Sequence, residues 1–89
     1  MISIGKACEI ATKERNKPFV DSILDVGYGF VISTVDENGM EELCFPTLVR
    51  KENGNAEPFR VPDFMEDIKN GRKVRIPMKY RIRMKVIDE

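Results

Sequence analysis

The stretch Phe19-Val20-Asp21-Ser22-Ile23-Leu24-Asp25-Val26-Gly27-Tyr28-Gly29-Phe30-Val31-Ile32-Ser33-Thr34-Val35 decides how the rest of the chain folds. It is rich in the β-branched and aromatic residues that fit a pleated surface, and Gly27 and Gly29 bracket its middle. A hairpin is expected, with one strand over residues 19–25 and the next over 28–35. In the second strand Phe30 and Ile32 lie on one face and Val31 and Val35 on the other. A strand apolar on both faces belongs in the centre of a sheet, covered on at least part of each side.

Upstream, Ile4, Ala7, Cys8 and Ala11 recur at helical spacing, with Ile10 widening the stripe, while Lys6, Glu9 and Lys13 fall on other faces. An amphipathic helix therefore spans residues 3–16. Ser3 is its N-cap, and the Asn16-Lys17-Pro18 sequence stops it because Lys17 precedes a proline.

Downstream, Asn38-Gly39 suits a tight turn into a third strand carrying Leu43, Phe45 and Val49, with Pro46 marking an edge, a bulge or a solvent-facing amide. The Asn53-Gly54 turn leads to a short fourth strand over residues 57–61. Pro62-Asp63, with Glu66 three residues on, reads as the start of a brief helix in which Phe64 and Ile68 form an apolar pair. Asn70-Gly71 ends it. Ile76, Met78, Tyr80, Ile82, Met84 and Val86 then alternate with Lys79, Arg81, Arg83 and Lys85, the pattern of a long terminal strand with one basic face. The expected class is α+β, an N-terminal helix packed on an antiparallel meander of about four strands, with a short second helix and a basic C-terminal strand.

A chain of 89 residues has room for a single domain, residues 1–89. Lys+Arg and Asp+Glu balance at 15 each, with 42% apolar residues, which argues against a disordered polyelectrolyte. No apolar run approaches membrane-spanning length, and Lys6 and Glu9 interrupt the N-terminus before a leader-like run develops. A cytoplasmic location and no membrane partner are expected.

The absence of histidine and the presence of only two cysteines disfavour the common acid/base and zinc sites. Cys8 and Cys44 read as inert, reduced thiols in apolar patterns, and the sequence leaves a disulfide between them open. Ser3 with Lys6 is the one local Ser/Lys pair, and the cap role accounts for Ser3 better than catalysis does. Asp36, Glu37, Glu41 and Glu42 cluster at the first Asn-Gly turn without the remaining ligands of a calcium loop. Gly27-x-Gly29 lacks the third glycine and helix start of a phosphate loop. No catalytic residue, metal site or cofactor is assigned, and the chain is expected not to be an enzyme.

Charge is segregated. Residues 1–68 carry 13 acidic and 7 basic groups, a net of −6, whereas residues 69–87 carry 8 basic groups and no acidic one. The candidate partner-binding residues are Arg72, Lys73, Arg75, Lys79, Arg81, Arg83 and Lys85. A row of cations on an edge strand serves first to discourage unwanted strand pairing. It also fits an acidic protein partner, through complementary potentials. The alternative is a nucleic-acid-binding protein, which the pI near 6.3 and the anionic body disfavour. A homo-oligomer through the exposed C-terminal strand is a further expectation.

Ala7 and Ala11 in the helix, the run Val26-Gly27-Tyr28-Gly29-Phe30-Val31, the turn Lys51-Glu52-Asn53-Gly54 and the segment Val61-Pro62-Asp63-Phe64-Met65-Glu66-Asp67-Ile68 together resemble the small immunity proteins of bacterial polymorphic toxin systems. In that family a helix, a strand meander and a short proline-led helix follow in this order. The resemblance covers residues 3–70, implies a non-enzymatic cytoplasmic binder that blocks a toxin, and transfers no contact residue.

Overall fold

The computed structural model describes residues 1–37, 46–59 and 65–81. Helix α1 spans Ile4–Arg15. The Lys6 N–H donates to Ser3 Oγ at 3.1 Å, satisfying one of the amides a helix start leaves open. Asn16 closes the helix in the left-handed conformation, φ 56°. Strands β1 (Phe19–Asp25), β2 (Gly29–Val35), β3 (Thr47–Arg50) and β4 (Ala56–Pro58) follow, then helix α2 (Met65–Asn70), strand β5 (Arg72–Lys73) and a single 3-10 turn at Met78–Tyr80. The five strands form one sheet in the order β4-β3-β2-β1-β5, each ladder antiparallel. This is the expected α+β arrangement, with β2 at its centre.

Both faces of the sheet are covered, as the two-sided apolar pattern of β2 requires. On one face α1 lays Ala7, Cys8 and Ala11 against Val20, Ile23, Phe30, Ile32 and Val49. On the other, Val31, Leu48 and Phe59 are buried, with Leu24, Val26 and Ile68 of α2 packed against them. Gly29 lies where the sheet is tightest: a Cβ there would sit 2.7 Å from the Val49 carbonyl oxygen. Gly27, at φ 100°, supplies the turn that the two glycines predict.

The β1 ladder slips between Val20, opposite Thr34, and Ser22, opposite Ser33, leaving Asp21 as an extra residue. This β-bulge puts Val20 and Ile23, three apart, into the same core, which strict alternation would forbid.

The two sheet edges differ. At β4, the Arg50 N–H donates to Asn55 O and the Phe59 N–H to Pro46 O. Antiparallel pairs alternate, so the backbone groups of Ala56 and Pro58 face outward. Pro58 has no N–H, and the outward side of β4 is short of a donor.

Several expectations are corrected. The fourth strand begins at Ala56 and has ended by Phe59, whose side chain turns into the core. The long terminal strand is the largest correction. Residues 76–80 of the expected strand form none, and the last ladder lies earlier, at Arg72–Lys73, continued by the Val74 N–H donating to Ile23 O, while Ile82, Met84 and Val86 fall outside the described residues. Pro77 precedes a 3-10 turn, and Arg81 meets Val20 in a parallel bridge, so the chain has reversed. Val74, Ile76 and Tyr80 still pack on the α1-side core, whereas Met78, expected to bury with them, is 71% exposed. The expected turn at Asn38-Gly39, Leu43, Cys44, Phe45, the Asp63 cap, Arg83 and Lys85 lie outside the described residues.

Candidate functional site

Antiparallel pairing fixes which way the basic residues of the β5 edge point. Arg72 faces Asp25, and Lys73 faces Leu24. Directly opposed residues share a face, so Arg72 lies on the α1 side and Lys73 on the α2 side. Arg75 sits between Val74 and Ile76, both packed toward α1, and therefore projects to the α2 side with Lys73. Lys79 belongs to the 3-10 turn, its Nζ 5.6 Å from the centre of the Tyr80 ring. The Nη2 of Arg81 donates to the Ile76 carbonyl at 2.9 Å. All five cations are exposed, but they do not form the single row that uninterrupted alternation predicts. Arg72 and Lys73 are neighbours on one strand and so point to opposite sides, and the chain reverses after Pro77.

Arg72 is tied to the α1 side by charge. Asp25 is half-buried; desolvation opposes its ionisation, but the Lys51 ammonium, the Gly27 N–H, the Lys51 charge and the Arg72 charge together hold its carboxyl below the ordinary value of 3.8. The Lys51 Nζ is 2.9 Å from Asp25 Oδ1, with side chains 19% and 27% exposed, and 5.1 Å from the centre of the Phe30 ring. Asp25 thus joins the β1–β2 turn, the β3–β4 turn and β5. On the α2 side Glu57 is held by Arg50, Nε to Oε2 at 2.7 Å, and Arg50 stands 5.5 Å over Tyr28. The sheet carboxylates of β1's end and β4 are therefore committed to other cations. Among the described residues Lys73, Arg75, Lys79 and Arg81 make no ion pair with a carboxylate.

Two residues escaped the sequence reading. Ser22 and Ser33 face each other across β1 and β2. Ser33 alternates with Ile32 and so shares the α2 side with Val31. Ser22 lies on the same side, one step from Leu24 and Lys73. A serine in each strand of the hairpin was the available signal, but the bulge hides which face they occupy.

Burial raises the Cys8 thiol to about 11, so at neutral pH it is protonated and a poor nucleophile. An open depression of about 260 Å³ at the end of α1 is lined by Thr12, Lys13, Asn16, Lys17 and Pro18. Among the described residues no group of three or more Cys, Asp or Glu side chains is placed to hold a metal ion. No described helix is long and apolar enough to cross a membrane. No protein-family model, curated protein or solved structure matches the chain.

Proposed function

We propose that the protein is a small, non-catalytic cytoplasmic binding protein, immunity-like in role, that docks an acidic protein surface along its β5 edge. The observation that carries this reading is the run of exposed cations Lys73, Arg75, Lys79 and Arg81, none paired with a carboxylate among the described residues, on a body whose first 68 residues are net anionic. Unneutralised charge at a sheet edge raises encounter rates with a surface of opposite sign and fixes orientation. The resemblance to immunity proteins supplies the first partner to try, a toxin encoded beside this chain. Self-association through the same edge accompanies this reading and is followed by light scattering at rising protein concentration.

The test is affinity capture from the source cell with the full chain and with the variant K73E/R75E/K79E/R81E. A protein retained by the wild type in low salt and lost by the variant supports the proposal. Equal capture by both chains overturns it. An oligonucleotide whose affinity for the wild type falls steeply with salt replaces it with the nucleic-acid alternative.

A further inference from the structure

The β5 edge has two sides, and they are chemically unequal. On the α1 side Arg72 faces Asp25, and Val74, Ile76 and Tyr80 are packed into the core. On the α2 side Lys73 stands opposite Leu24. The register set by Leu24 with Lys73 and by the Val74 N–H on Ile23 O, carried one residue further, brings Arg75 beside Ser22. Ser22 in turn faces Ser33. A polar row, Ser33-Ser22-Arg75, thus crosses three adjacent segments, with Lys73 one step along. Arg, Lys and hydroxyl groups all donate hydrogen bonds, which is the inventory a carboxylate needs.

We infer that the partner's acidic side chain is seated on this α2-side row of Ser22, Ser33, Lys73 and Arg75, with Arg72 playing no part. The inference rests on the docking role proposed above and specifies the face. Charge complementarity selects the occupant: a carboxylate-bearing segment of an acidic protein. Asp21, exposed at the bulge next to Ser22, makes no ion pair among the described residues and opposes such a guest. Its removal therefore tightens the contact.

A fluorescein-labelled hexaglutamate peptide, titrated into the full chain at low salt, is the probe. K73E/R75E weakens binding about tenfold and S22A/S33A about twofold, whereas R72A and K79E/R81E change it by less than about twofold and D21N strengthens it. Amide shifts of the ¹⁵N-labelled chain concentrate at residues 22, 33, 73 and 75. Each variant is compared with the wild type by circular dichroism and melting temperature, and K73Q/R75Q replaces the reversal if folding is disturbed. Absence of peptide binding, a loss in K79E/R81E as large as in K73E/R75E, or tighter binding of oligothymidylate than of the peptide overturns the assignment. Partner capture that survives K73E/R75E and fails in K79E/R81E leaves the docking edge standing and removes only this face.

Discussion

The α1 face and the α2 face of one sheet differ in what they carry. The α1 face carries Ala56, Val49, Ile32, Ile23 and Val74, with the buried Thr47 hydroxyl among them accepting from Arg15 of α1, and its rim is tied by Lys51 and Asp25. The α2 face buries Val31, Leu48 and Phe59 as a smaller core and then gives way to serines and cations at the β1–β5 side. On the docking role proposed above, stability and recognition divide by side. A substitution on the first face is expected to act on folding, and one at the rim of the second to act on binding.

That separation can be broken most severely at Phe59, the largest fully buried side chain. With so few buried neighbours on its side to close a cavity, Phe59→Ala is expected to cost about 3–5 kcal/mol in urea unfolding. A cost under about 1 kcal/mol would mean the α2 side has no core of its own. Gly29→Ala comes next. Its methyl group meets backbone at 2.7 Å, so β2 and β3 must part, at an expected cost of about 1–3 kcal/mol by the same measurement.

Asp25→Asn sharpens the account of the α1 rim. The native carboxyl is held below its ordinary value of 3.8, so its contribution to stability is full above that value and is lost as pH falls through the lower, folded one. The variant is expected to be about 1 kcal/mol less stable at pH 7, and the gap should narrow below pH 4 in acid-unfolding curves. A gap independent of pH would assign the loss to something other than ionisation. Ser3→Ala, which removes the α1 cap, is expected to cost about 1 kcal/mol. K73E/R75E is the smallest effect, within about 0.5 kcal/mol of the wild type in melting experiments, because both side chains are exposed.

The sequence made α1 legible to its caps, Ser3 and Asn16, because capping chemistry is local. β1 was legible for a similar reason, and the two-sided pattern of β2 located the centre of the sheet. The tail was misread because alternation reports which side a residue faces and says nothing about how much edge is available to pair. β1 offers seven residues, interrupted by the bulge at Asp21, and Pro77 lacks a donor where the ladder would continue. Carried on in the β5 register, Met78 would reach Phe19, the first residue of β1, only past the bulge and past a proline that cannot donate. The bulge itself was hidden because apolar residues at 19, 20, 23 and 24 satisfy no period of two. For the candidate site, the cations were visible as letters, but their division between two sides, and the two serines among them, follow only from register.

Pro58 leaves the outward side of β4 a donor short, and β5 covers the other flank for only two residues. A flank poorer in donors extends less readily than the other. Copies that join through the β5 flank would meet about a two-fold axis, and strand addition would favour a closed pair over propagation into a fibril.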